Sequence, residues 1–233
     1  PAEPGHGHAD TGEETMIDGK APTRRKIQAE QTRRTIAATA LAVLKRKSGD
    51  KEAGDPTDAS DGLAYDTAFE RISGAPYGDT FQTYAMRRGS EQEAFARMRY
   101  ESLYNVMVDE TGIILTDDRL FGYSTDGFVG DKGMIEVKTP QNSNKILQMI
   151  RTGDVSEYIH QIQGGMWISG REWCDFIMYI PPLKGVNNDL YVKRIKRDDD
   201  FIDDMVTGLL KFNKRVDDAV KLLSAPMFNK LAA

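Results

Sequence analysis

Between residues 113 and 138 the chain changes from helical to strand patterning, and that change limits the folds open to it. Ile113-Ile-Leu-Thr116 and Leu120-Phe-Gly-Tyr123 are short β-prone runs on either side of Asp117-Asp118. Gly127-Phe-Val129 and Met134-Ile-Glu-Val-Lys138 flank Gly130-Asp-Lys-Gly133, a composition that predicts a β-hairpin. Pro140 has no backbone donor and ends the second strand. Helical spacing appears in Tyr65 to Ile72, stopped at Ser73-Gly74, and in residues 79–107, 143–152, 155–168 and 199–223. Within 79–107 the expected buried stripe is Phe95, Met98, Leu103 and Val106. Trp173 to Ile180 and Leu190 to Ile195 add two strands. The order of helices, a mixed sheet, helices, two strands and a closing helix predicts a three-layer α/β domain, its central mixed sheet flanked by helices.

The length, 233 residues, suits one such domain with an additional arm. Residues 1–22 are rich in Gly, Pro, His and acids, lack apolar periodicity and are expected to be a disordered arm. Residues 23–47 read as a helix, and 48–62 as a polar, mobile loop. The folded unit is expected over 23–233. No apolar run approaches the ~18 residues of a membrane span, and no basic-then-apolar start marks a secretory signal. The single cysteine, Cys174, forms no internal disulfide and no cysteine-held cluster, which suits a reducing, cytoplasmic setting. Two of the three histidines, His6 and His8, lie in the arm, so a histidine-rich zinc site is not expected; His160 reads as structural or solvent-exposed.

The net charge of −5 hides segregation. Residues 1–22 carry Glu3, Asp10, Glu13, Glu14 and Asp18 against Lys20, a net −4, and residues 24–47 carry eight Lys/Arg against Glu30, a net +7. Residues 50–61 return to −4. A basic block between acidic ones suits a phosphate-binding surface, and it equally suits a solvated helix face.

The chemistry-bearing residues cluster on the hairpin. Glu136 and Lys138 are two apart on a strand, so they share a face at roughly 6.5 Å spacing along it. Asp126, where the preceding strand begins, is brought beside Glu136 by the hairpin. Two carboxylates and the Val137 backbone carbonyl make a hard-oxygen site of the kind Mg²⁺ takes while keeping several waters. A lysine beside the metal orients or deprotonates an attacking water and stabilises charge developing on phosphate. Glu93, on the helix before the sheet, adds a carboxylate, or else is a surface residue paired with Arg97. Gln161 shares a helix face with Gly164 and Gly165, and paired mid-helix glycines indicate close approach of another group.

In that order, Glu93, Asp126 and Glu136-Val-Lys138 resemble the PD-(D/E)xK nuclease core, whose fold is restriction-endonuclease-like. The longer series is Gly89-x-x-x-Glu93, Thr125-Asp126-Gly-Phe, Glu136-Val-Lys-Thr-Pro140, Tyr158-x-x-Gln161-x-Gln163-x-x-Met-Trp167 and Asp175-Phe-Ile-Met-Tyr-Ile-Pro-Pro182. It is similar to the lambda exonuclease, or YqaJ-type viral recombinase, family over residues 63–222. The resemblance implies a 5′→3′ exonuclease on linear double-stranded DNA, two Mg²⁺ ions with Mn²⁺ able to substitute, a homotrimer threaded by DNA, and a single-strand annealing partner in phage recombination. By the same resemblance Asp126, Glu136 and the Val137 carbonyl hold metal, and Glu93 supports the second ion or its water. Lys138 activates the nucleophile and Gln161 positions it.

The chain departs from the family in two places. Ser124-Thr125 stands where Ser-Pro is usual. The Trp-x-x-x-Arg-x-Gly-x-Ile-Thr-Ala-Ser-like segment that binds a 5′ phosphate is replaced by Gln31-Thr-Arg-Arg-Thr-Ile-Ala-Ala-Thr39, which leaves Arg33 or Arg34 for the arginine and Thr35 or Thr39 for the hydroxyl. The competing readings are a restriction-like or structure-specific endonuclease and an inert DNA-binding protein. Against the latter, clustered carboxylates repel phosphate unless a metal intervenes.

Overall fold

The computed structural model describes residues 57–78 and 83–226. The expected arm over 1–22, the expected helix over 23–47 with Arg33, Arg34, Thr35 and Thr39, and most of the 48–62 loop lie outside them. In chain order the elements are α1 (Asp58–Ser73), α2 (Tyr84–Tyr104), β1 (Ile113–Leu115), β2 (Gly122–Ser124), β3 (Gly127–Val129), β4 (Gly133–Lys138), α3 (Ser143–Thr152), α4 (Ile159–Ser169), β5 (Trp173–Tyr179), a 3₁₀ turn (Pro181–Val186), β6 (Leu190–Lys196) and α5 (Asp199–Ser224).

Four strands form one mixed sheet in the order β3-β4-β5-β6, antiparallel, parallel and antiparallel in turn. The parallel step is where α3 and α4 cross over, since parallel neighbours cannot be joined by a tight turn. β1 and β2 pair separately as an antiparallel ribbon. Side chains alternate across the sheet. Met134, Cys174, Phe176 and Met178 pack with Ile162 and Met166 of α4 on one face. Ile135, Val137, Ile177 and Tyr179 pack with Ala96 and Tyr100 of α2 on the other. These are the expected three layers. Outside them α5 packs Ile202, Met205 and Leu209 with Phe121 and Trp167. Its distal half packs Phe212, Val216 and Ala219 against Ala64 and Ala68 of α1.

Local chemistry accounts for the differences from the sequence reading. α1 begins at Asp58, inside the expected loop, because Thr57 caps it through Ser60 N–H and Asp58 and Asp61 oppose its dipole. Its ion pairs Arg71–Asp217 and Arg215–Asp61 tie it to α5. Leu120 and Phe121 lie before the strand rather than in it. Asp118 Oδ1 accepts from Leu120 N–H and the Thr116 hydroxyl, and Arg119 adopts φ +58°, so β2 starts at Gly122. α4 starts four residues later than expected, because Asp154 Oδ1 holds Ser156 N–H in a separate turn.

The buried stripe of α2 requires a larger correction. Phe95, Met98 and Leu103 are 51%, 55% and 51% exposed, and Val106 lies beyond the helix and packs only partly. The sheet-facing line is Glu93, Ala96, Arg97 and Tyr100, the same helical spacing turned to another face. Ala96 allows the helix close to the sheet. Tyr100 reaches through the layer to donate its hydroxyl to Asp175 Oδ2 at 2.6 Å, where Arg194 also binds the buried carboxylate at 2.7 and 2.8 Å.

Candidate active site

Strand register positions the first carboxylate. Gly127 stands opposite Ile135, so Asp126, just before β3, meets the next step of β4. Its Oδ2 accepts from Val137 N–H at 2.6 Å, where a strand carbonyl would sit if the ladder continued. A strand residue's N–H and C=O leave by the same edge, so the Val137 carbonyl faces Asp126 as well. The Thr125 hydroxyl fixes this bend: it lies within hydrogen-bond reach of the Gly127 and Ile135 carbonyls at 3.1 and 3.2 Å and accepts from Gly127 N–H at 3.2 Å. Thr125 thus holds this turn by hydrogen bonding.

The second carboxylate, Glu136, is 2% exposed. Its Oε1 accepts from Lys138 Nζ at 2.5 Å and from Gln161 Nε2 at 2.7 Å. The Gln161 Oε1 in turn accepts from Lys138 Nζ at 3.1 Å, closing a triangle of Glu136, Lys138 and Gln161 between β4 and α4. The other oxygen of Glu136, Oε2, accepts from the Tyr123 hydroxyl at 2.6 Å. Across the cleft, half-buried Glu93 of α2 lines the same hollow as Asp126, Thr125, Thr111, Arg97 and Glu110. Arg97 does not form the expected helix pair with Glu93. It salt-bridges Glu110 at 2.7 Å and donates to the Asp126 backbone carbonyl at 3.4 Å.

The electrostatics reflect this crowding. Burial, reinforced by the charges of Glu136 and then Glu93, pushes the Asp126 carboxyl well above the ordinary carboxylate range, against the pull of Lys138 and Val137 N–H. For Lys138, burial works against the charged form, but Glu136 and Asp126 outweigh it and hold the ammonium above its usual value. Burial and then the Glu136 charge push the Tyr123 phenol far up, so it stays a hydrogen-bond donor.

Of the five residues expected from the sequence, Glu136, Lys138 and Gln161 are joined by hydrogen bonds, Glu93 and Asp126 line one hollow, and Asp126 lies within electrostatic reach of Glu136, Glu93 and Lys138. Sequence reasoning missed Tyr123 and Arg97. For Tyr123 a signal was present in Gly165: a Cβ there would stand 2.5 Å from Tyr123 Cζ, so the paired glycines of α4 mark where this ring enters. His160 packs edge-on against the Phe201 ring, a structural placement. Among the described residues no three His, Cys, Asp or Glu side chains close on one point. The converging donors are two carboxylates and one backbone carbonyl, a hard-oxygen set suited to a divalent cation that keeps water. The Asp126 carboxyl, its proton affinity raised by burial and then by the Glu136 and Glu93 charges, fits such an ion chemically.

Comparison with known proteins bears on the family and the fold. A family described as YqaJ-like viral recombinase domain matches residues 35–172. The structure is similar to that of an alkaline exonuclease (LHK-Exo) from Laribacter hongkongensis, at 30% identity and a TM-score of 0.70, over 84% of this chain and 95% of that one. The same enzyme in complex with dAMP matches equally. A phage-related exonuclease from Haemophilus somnus 129PT shares the fold at 17% identity and a TM-score of 0.61, over 81% of this chain and 95% of that one. No curated protein matches. Among the described residues no helix is long and apolar enough to cross a membrane. The chain belongs to the YqaJ-like viral recombinase family.

Proposed function

We propose that this protein is a divalent-metal-dependent DNA exonuclease that degrades one strand of linear duplex DNA in the 5′→3′ direction, in the service of phage-type annealing recombination. The observation that carries the reading is the hydrogen-bonded group of Glu136, Lys138 and Gln161 with Asp126 held beside it on the next step of the hairpin. It is supported by 30% identity to an alkaline exonuclease whose complex with dAMP has been solved.

Asp126, Glu136 and the Val137 carbonyl would hold Mg²⁺, or Mn²⁺ in its place, and Glu93 would hold a second ion or its water. Bound there, the ion supplies Lewis-acid polarisation of the phosphate and lowers the pKa of water. The chain's own groups do the rest. Lys138, charged and braced by Glu136, donates to the attacking water and to the phosphate oxygen that gains charge. Gln161, whose amide is fixed at both ends by Glu136 and Lys138, sets the direction of that donation. Arg97 holds the Asp126 backbone so that the carboxylate keeps its place. A homotrimer around the duplex, an annealing partner, and 5′-phosphate binding by Arg33 or Arg34 with Thr35 or Thr39 belong to the same proposal.

Linear and covalently closed duplex DNA, each with and without Mg²⁺, test the reading. Linear DNA should disappear in the presence of Mg²⁺ alone, with 5′-labelled ends released first, and closed circles should survive. Nicking of closed circles would replace the exonuclease with an endonuclease. Activity unchanged in EDTA would remove the metal.

A further inference from the structure

The two oxygens of Glu136 have different partners. Oε1 faces Lys138 and Gln161, groups assigned above to the reaction. Oε2 faces the Tyr123 hydroxyl, which has no part in that chemistry and stands outside the motif series. Tyr123 is buried and belongs to β2, in the separate ribbon rather than in the sheet that carries Glu136. It reaches Glu136 through a gap in α4: a Cβ at Gly165 would lie 2.5 Å from Tyr123 Cζ, 2.6 Å from Cε1 and 2.8 Å from Met134 Cε. Gly165 stands one helical turn beyond Gln161, so the notch that admits the ring and the amide that binds Oε1 lie on the same face of α4.

We infer that Tyr123 is a positioning residue for Glu136: its hydroxyl, seated through the Gly165 notch, withholds Oε2 and turns Oε1 toward Lys138, Gln161 and the cation. The inference rests on the nuclease reading above and adds to it that Glu136 serves the metal through one oxygen whose direction is set in advance. A carboxylate held on one side cannot rotate to exchange its oxygens. The ordering that ion binding would otherwise impose is therefore already present. Hydrogen-bond partners of metal ligands act in this way on metal affinity.

Tyr123→Phe removes the hydroxyl and leaves the ring in its notch. Calorimetry with Mn²⁺ should show binding weakened on the order of tenfold or more, the usual range for losing such a partner. The Mg²⁺ concentration for half-maximal DNA degradation should rise by a similar factor while KM for DNA stays at the wild-type value, a split that a general packing defect would not produce. Mn²⁺ affinity equal to wild type in Tyr123→Phe overturns this inference and leaves the nuclease reading standing. Absence of Mn²⁺ binding by the wild-type chain overturns both. A ring-fluorinated tyrosine at Tyr123 provides a readout in a chain that keeps the hydroxyl, should the Phe variant fail to fold. Its fluorine resonance should shift on saturation with Mg²⁺, and a resonance that stays in place while calorimetry records binding would also refute the role.

Discussion

Replacing Lys138 by Met keeps most of the apolar stem and removes the charge, and the structure assigns that change two separable effects. The first is on stability without metal. Lys138 is the cation directly hydrogen-bonded to Glu136, and it lies beside Asp126, which Glu136 and Glu93 already crowd. Removing one partner of a fully buried ion pair costs ~3–5 kcal/mol. Here the Lys138 side chain is 26% exposed, and Tyr123 and Gln161 continue to bind Glu136, so about 2–3 kcal/mol is expected. For a chain of this size that lowers the melting temperature by roughly 5–10 °C. The second effect is on chemistry. Loss of a preorganised donor aimed at developing charge costs ~10²–10³ in rate.

Added Mg²⁺ should separate the two, because the ion supplies positive charge between the same carboxylates. The melting temperature of Lys138→Met should recover more on adding Mg²⁺ than wild type gains, while the rate stays low. Differential scanning fluorimetry in EDTA and in Mg²⁺, alongside release of acid-soluble nucleotides from linear DNA, measures both. An unchanged melting temperature in EDTA together with a rate within a few-fold of wild type would refute the assignment of Lys138 to a shared electrostatic site.

Other perturbations are read more simply. Tyr100→Phe removes the 2.6 Å bond to Asp175 but leaves the Arg194 contacts, so urea unfolding should show a loss of about 1–2 kcal/mol with nuclease rate unchanged. A rate loss there would tie the buried Asp175 network to catalysis. Gly133→Ala would place a Cβ 2.2 Å from Trp173 Cζ2, a ring already covered by the Arg194 guanidinium at 3.6 Å, and should cost about 1–3 kcal/mol in thermal or urea denaturation. A neutral result would mean that the indole moves aside freely.

Strand signals and the spacing of the candidate site residues are local properties, and both were legible in the chain. The Gly130–Gly133 turn, the period-two alternation of β4 and the stop at Pro140 place Glu136 and Lys138 on one face without knowledge of the rest of the fold. Asp126 could be assigned beside them because a hairpin imposes its own register. α2 was different. Its sequence offers two apolar lines at helical spacing, and size alone favours Phe95 and Met98. The choice fell to Ala96 and Tyr100 because the sheet demands a close helix and offers Asp175 as a partner for the tyrosine hydroxyl. Neither demand is visible within the helix.

What the sequence by itself determined, then, is the strand of the candidate site: which side chains share its face, and which residues follow in order around it. Only the tertiary structure decided how those groups are held. Arg97 turns from Glu93 to Glu110 and the Asp126 backbone, and Tyr123 crosses from a separate ribbon to Glu136 through the space Gly165 leaves open. The physical reason is range. Periodicity and turn chemistry act over a few residues, whereas a buried carboxylate takes its partners from whatever the fold brings within hydrogen-bond distance, and nothing in their sequence separation announces them.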